Sequence, residues 1–185
     1  MAPRLSTQGE LQIRIGGRGH AFAEWLSGTA PSVAIQSTFW FIRLLQATHL
    51  LTAGVVTATG VLIALRVLGW HRADQPFDAV WRRFAPWLAW GVAVMLATGI
   101  GQTLGDPVRE FTATSYWVKM VLALSSVVGT LGVARIGKRT PAAADFSFTA
   151  KVMAAGLILC WLALPLLGRM IAYDRAIWGS LSLRT

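Results

Sequence analysis

Three polar side chains recur at three-residue intervals inside the first long apolar run of the sequence. They are Arg43, Gln46 and His49, within the stretch FIRLLQATHLL. At about 100° per residue they cover an arc of roughly 120° on a helix, so they form a single stripe. A guanidinium, an amide and an imidazole can bind anions, donate hydrogen bonds, ligate a metal or move a proton. His49 is the most informative, because its short side chain cannot reach the membrane interface from inside the run.

Polar residues of the later apolar runs are expected at the same level as this stripe. Gln102 ends the second run, Lys119 begins the third and Arg169 ends the fourth. Runs that alternate in direction bring these ends together at one side of a membrane. The candidate binding residues are therefore His49, Arg43, Gln46, Lys119, Arg169 and Gln102.

Each candidate also has a structural interpretation. The three cations among them, Arg43, Lys119 and Arg169, lie near run ends, where long side chains reach the interface. Gln46 can hydrogen-bond between helices. His49 is either a buried hydrogen-bonded group or a ligand or proton relay, and the sequence leaves both readings open.

The composition indicates the elements that position these residues. The chain has 185 residues, of which 55% are hydrophobic and 14% charged, whereas about a quarter of a soluble domain is charged. Its apolar runs approach the roughly 20 residues that a ~30 Å hydrocarbon core requires. The sequence predicts an all-α integral membrane four-helix bundle with an N-terminal amphipathic segment. The expected spans are residues 38–68, 84–104, 116–136 and 148–173.

The chain is predicted to have four parts: a mobile polar tail (1–19), an amphipathic interfacial segment (20–37), the transmembrane domain (38–173) and a C-terminal tail (174–185). In the amphipathic segment, Phe22, Trp25 and Leu26 fall on one helical face. This pattern predicts a helix that lies on the outer membrane surface or one that caps the mouth of the bundle.

Three local features of the spans carry their own predictions. Ser115 precedes the third span and is expected to cap it. Pro165 is expected to kink the fourth span. Ala53, Thr57 and Gly60 form a stripe of small residues that permits close approach of another helix.

The net charge of +9 does not indicate nucleic-acid binding, because the basic residues flank the apolar runs and form no single stripe. Such flanks are typical of topology signals and anionic-lipid contacts. Lys and Arg concentrate in the first and third loops. The positive-inside rule therefore predicts these loops in the cytoplasm and both termini on the outer side of the membrane.

An ordered set of short motifs gives the chain a resemblance to a known family. The set comprises FAEWL, Gln46-x-x-His49, RVLG at 66–69, APW at 85–87, Lys119 and GRMIAY at 168–173. The chain resembles a domain-of-unknown-function family of bacterial four-helix membrane proteins, broadly similar to the membrane domains of copper-resistance D-type proteins. The resemblance covers about residues 22–173 and implies a four-span fold in the bacterial inner membrane. It singles out His49, Lys119 and Arg169. The family commonly has glutamate at the position of Gln46, and its members often carry a further histidine in the third helix.

The function favoured by the sequence is that of a small non-catalytic membrane subunit or anchor. Short loops leave no room for a soluble catalytic domain, and no HExxH, GxSxG or P-loop motif is present. The polar residues at the outer side would then be a docking site or a lipid-headgroup site. The expected partners are the lipid bilayer, other membrane or periplasmic proteins, or a second copy of the chain.

Two alternatives use the polar residues as ligands. In the first, b-type haem or a quinone binds near the outer face, with His49 as an axial haem-iron ligand and the cations paired with propionates or a carbonyl. No second axial histidine is evident, which leaves Met95 or Met120. The lesser alternative is copper handling, suggested by the resemblance alone, since thiolate and thioether ligands are scattered here.

Overall fold

The computed structural model describes residues 19–72, 74–141, 145–179 and 182–183. Four long helices dominate it, and each is long and apolar enough to cross a membrane. The described residues contain helices and no strand, so the prediction of an all-α four-helix membrane bundle is confirmed. The long helices are α3 (Phe39–Leu68), α4 (Phe77–Gly105), α6 (Thr114–Arg139) and α7 (Phe148–Met170).

Short helices occupy the segments around and between these four. The described chain begins in a helix at residues 19–27 (α1), and a 3-10 turn at Ile171–Tyr173 follows α7. The other short helices are α2 (Ala30–Ser37), α5 (Pro107–Phe111) and α8 (Asp174–Trp178).

The second long helix begins seven residues before the predicted start of the second span, at Phe77 directly after Pro76. Its charged first turns lie outside the predicted span 84–104, and charge is compatible with a helix that extends beyond the hydrocarbon. Asp78 and Arg82 form an i,i+4 ion pair with 3.3 Å between Oδ2 and Nε. The helix therefore starts within the charged stretch, before its apolar segment.

The centre of the bundle is built on α3, which packs against α4 on one side and α7 on the other, while α6 packs against α7. Gly60 of α3 faces the indole of Trp161 of α7, and a Cβ atom at position 60 would clash with the ring. The Trp161 Nε1–H donates to Thr130 Oγ1 of α6 at 3.1 Å. The small-residue stripe that contains Gly60 therefore allows the predicted close approach, and α3, α6 and α7 meet around the buried Trp161.

Pro165 leaves one carbonyl of α7 without its usual helical donor, because proline has no N–H. That carbonyl belongs to Trp161, four residues earlier, and Thr57 Oγ1 of α3 donates to it at 3.5 Å. A hydroxyl from the small-residue stripe therefore replaces the missing backbone donor across the helix interface.

The prediction that Ser115 caps the third span is wrong. The helix α6 begins at Thr114, with Ala113 at the N-cap position. Its first backbone amides are satisfied from α8: Asp174 accepts from Ser115 N at 2.7 Å and from Thr114 N at 3.2 Å. Sequence spacing cannot reveal this cap, because its carboxylate is about sixty residues away along the chain.

The N-terminal segment packs over the end of α4. Ser32 of α2 is fully buried and donates to the carbonyl of Leu104 at 2.5 Å, which satisfies one of the free carbonyls at that helix end. The ring of Phe22 in α1 meets Phe111 of α5 edge to face. These two contacts show that the segment covers the end of the bundle. Trp25 remains 65% exposed, so an apolar side of the segment faces outward.

Candidate functional site

Four helix ends meet where the predicted site lies, and we call this side of the bundle the His49 end. It comprises the start of α3, the end of α4, the start of α6 and the end of α7. The opposite side, where most loop cations lie, is called the basic end. The alternation of helix direction thus brings the candidate residues to one side, as their positions in the runs predict.

His49 faces α4, where its Nδ1 lies 2.9 Å from Thr98 Oγ1. The single hydroxyl proton of Thr98 is directed at its own helix, 2.7 Å from the Val94 carbonyl. With that proton on the Val94 carbonyl, Thr98 Oγ1 can accept from His49 in the tautomer that carries its proton on Nδ1. In the neutral ring, Nε2 then carries a lone pair that can accept a proton or bind a metal.

The imidazole is held by more than this one bond. Its Cε1 would lie 3.6 Å from a methyl group placed on Gly99, so the ring rests directly on the α4 backbone. Gln102 Nε2 is 3.4 Å from the Thr98 carbonyl, one turn further along the same helix. Gln102 therefore lies next to the residue that orients His49.

Lys119 brings a positive charge to the same region from α6. Its side chain is half-buried, and its ammonium is close enough to His49 and to Glu110 for electrostatic interaction. A methyl group on Gly168 of α7 would lie 4.0 Å from its Nζ. The ammonium therefore lies beside the backbone of α7 near its end.

Arg43 and Gln46 do not turn inward with His49. Both side chains are exposed, and the Arg43 guanidinium stacks over the Phe39 ring with 4.3 Å from Cζ to the centroid. A 120° arc is wide enough for one edge of the stripe to face α4 and the other edge to face outward. Arg43 and Gln46 therefore lie on the outer surface of α3.

Arg169 is also exposed, at the end of α7. It directly follows Gly168, so it lies beside the Lys119 junction without entering it. Tyr116, one turn before Lys119, lies with its hydroxyl 3.5 Å from Thr103 Oγ1 of α4. The candidate residues thus separate into an inner group, with His49, Lys119 and Gln102, and an outer group, with Arg43, Gln46 and Arg169.

Sequence reasoning did not select Thr98 as part of the site, although this residue orients His49. The available signal was its position four residues before Gln102, which places both on one face of α4. Thr98 is buried, and a threonine in a membrane helix usually bonds its own backbone. Only the packing of α3 against α4 shows that its oxygen also meets an imidazole.

Within the described ranges, no three His, Cys, Asp or Glu side chains come together in a way that could hold a metal ion. Met95 packs against the hydrophobic core, and Met120 is exposed. No protein-family model, curated protein or solved structure matches the chain. The inference of function therefore rests on the residues and their geometry.

Proposed function

We propose that the protein is a small non-catalytic membrane subunit or anchor that packs against a partner helix through the outer face of α3. The observation that carries this proposal is the exposed amide of Gln46. It lies seven residues after the start of α3, which is about 10 Å along the helix at 1.5 Å per residue.

An amide at this position needs a partner. Leu50, one turn further along the same face, is 64% exposed, so the surface beside Gln46 is suited to lipid. A polar group in hydrocarbon without a hydrogen bond costs several kcal/mol. A second helix that covers Gln46 removes this cost.

The same face also offers room for close approach. Gly54 is exposed, and a methyl group added there would meet no atom within 4 Å. Ala58 follows four residues later and is exposed as well. A small residue at every fourth position permits backbone contact between membrane helices, and Gln46 adds a polar contact about two turns away.

We place the protein in a bacterial inner membrane with both termini on the outer side. The basic loops support this orientation through the positive-inside rule, and the ordered motifs support membership of the bacterial four-helix family. On this orientation the polar face of α3 lies in the outer half of the membrane, where membrane or periplasmic proteins can meet it.

Photo-crosslinking in cells tests the subunit proposal. A benzophenone amino acid replaces Gln46 in one variant and Leu159 in another, since Leu159 of α7 is also exposed, at 69%. We expect one discrete product from position 46 and none from position 159. Gln46→Leu should weaken retention of that partner about fivefold, as the loss of one interhelical hydrogen bond implies.

The mass of the product separates a second copy of the chain from a different protein. Equal products from both positions would indicate random collision in the membrane. That result, or no product from position 46, would contradict a docking face on α3.

A second function, haem or quinone binding, is favoured by the orientation of His49. Metal-bound histidines usually donate their other ring N–H to an oxygen, which fixes the ring and leaves one nitrogen for the ligand. Thr98 Oγ1 lies where it can supply such an oxygen to Nδ1, so Nε2 would be the nitrogen that holds the haem iron. A haem iron would supply electron transfer at this position. Lys119 would hold an anionic group of the cofactor.

A reduced-minus-oxidised visible spectrum of the purified protein tests this second function. If haem is bound, His49→Ala should abolish the haem bands, and Thr98→Val should weaken binding at least about tenfold by removing the oxygen that orients the ring. His20→Ala is the control, because His20 pairs with Glu24 at 3.3 Å in α1. A preparation without haem bands and without extractable quinone would rule out this function.

A further inference from the structure

The basic end contains a cluster of three basic side chains, Arg66, His71 and Arg72, around the acceptor residue Gln75. Arg66, in the last turn of α3, is only 7% exposed. Its Nε and Nη2 both donate to the Gln75 carbonyl, at 2.9 and 2.5 Å. Among the described residues it has no acidic partner within 4.0 Å, so a neutral carbonyl is its main acceptor.

A second guanidinium reaches the same glutamine. Arg72 Nη1 lies 3.3 Å from Gln75 Oε1, so Gln75 receives one arginine on its backbone and another on its side chain. Two positive groups on one neutral residue repel each other unless a negative charge is shared between them. An anion between them would be stabilised by both.

Two nitrogens of the cluster have no acceptor in the described part of the chain. His71 Nε2 and Arg72 Nε are buried, and neither makes a hydrogen bond. Buried donors without partners cost about 1–3 kcal/mol each. The backbone of Arg72 is also strained, because its φ of 48° lies in the left-handed region that disfavours side chains.

These features require an acceptor with several oxygens and a negative charge. A phosphate group has both, and arginine forks bind it with good geometry. The position of the cluster identifies the source. Trp70 adjoins it and is 81% exposed, as expected of an aromatic residue at the level of lipid headgroups.

We propose that Arg66, His71, Arg72 and Gln75 form a binding site for the phosphate of an anionic phospholipid. The site is independent of the polar residues at the His49 end. In the bound state the phosphate accepts from His71 Nε2–H and Arg72 Nε–H, the two buried nitrogens without a partner. The strain at Arg72 is retained because this backbone conformation aims the guanidinium at the site.

The test uses the full-length protein in neutral detergent and measures its thermal stability as phosphatidylglycerol is added. Phosphatidylcholine and inorganic phosphate are added in parallel. We expect phosphatidylglycerol alone to stabilise the protein. Arg72→Gly removes the guanidinium and relieves the backbone, so it should fold at least as well and bind the lipid about tenfold more weakly.

Arg139→Gln is the matched control, because it removes one exposed cation from the same end of the bundle. It should keep the phosphatidylglycerol effect. Equal weakening in Arg139→Gln and Arg72→Gly would overturn the proposal in favour of a diffuse charge effect. An equal shift with phosphatidylcholine would overturn the need for an anion, and an equal shift with inorganic phosphate would overturn the assignment to a lipid.

Discussion

Asp174→Ala should lower the free energy of unfolding by about 3 kcal/mol, because several buried donors lose one shared acceptor. The Asp174 side chain is fully buried. It accepts from the first amides of α6, from the Ser115 side chain and from Ser182 Oγ at 2.6 Å. Trp178 Nε1 donates to Ser115 Oγ at 2.8 Å, so the change also loosens α8. Unfolding in mixed micelles, followed by tryptophan fluorescence, measures this loss.

Asp106→Ala provides the matched control for this prediction. Asp106 also caps a helix, since its Oδ1 accepts from Arg109 N at 3.2 Å, but it is exposed and the helix has five residues. Its removal should cost about 0.5 kcal/mol, the low end for a cap. If the two variants lost equal free energy of unfolding, burial and the α6–α8 connection would contribute nothing to the stabilising effect of Asp174.

The spans could be predicted from the sequence because a membrane restricts the solutions. A backbone in hydrocarbon must satisfy its own hydrogen bonds, so a long apolar run has one regular conformation available. The helix ends were harder to predict, because nothing in hydropathy distinguishes a charged loop from a charged helical turn. The start of α4 at Phe77 and the short helix α5 both lie in such polar stretches.

The level of the candidate site could be predicted, but the direction of its side chains could not. Position in a span determines depth, and the structure brings His49 and Lys119 close together. Whether a side chain faces the interior depends on the rotation of each helix, which depends on packing. Packing places His49 against α4 beside Gly99 and Lys119 beside Gly168 of α7, whereas Gln46 turns outward.

Gly60→Ala should destabilise the bundle by about 3 kcal/mol, the upper part of the range for overpacking a core. The added methyl group would lie 2.6 Å from Cε2 and 2.8 Å from Cδ1 of Trp161, while carbon atoms pack best at about 3.5–4.0 Å. Trp161 is 3% exposed. Its ring cannot retreat without stretching the 3.1 Å bond from Nε1 to Thr130 Oγ1, so relaxation replaces a clash with a lost hydrogen bond.

Gly54→Ala tests the same chemical change on the same helix with the opposite expected sign. No atom lies within 4 Å of a methyl group at Gly54, and alanine is favoured over glycine in a helix by about 1 kcal/mol. The purified Gly54→Ala protein should therefore be as stable as the parent or more so. Adding Trp161→Phe to Gly60→Ala should recover part of the loss, because the smaller ring leaves room for the methyl group. If Gly60→Ala and Gly54→Ala had equal effects, the contact between Gly60 and Trp161 would not be what holds α3 against α7.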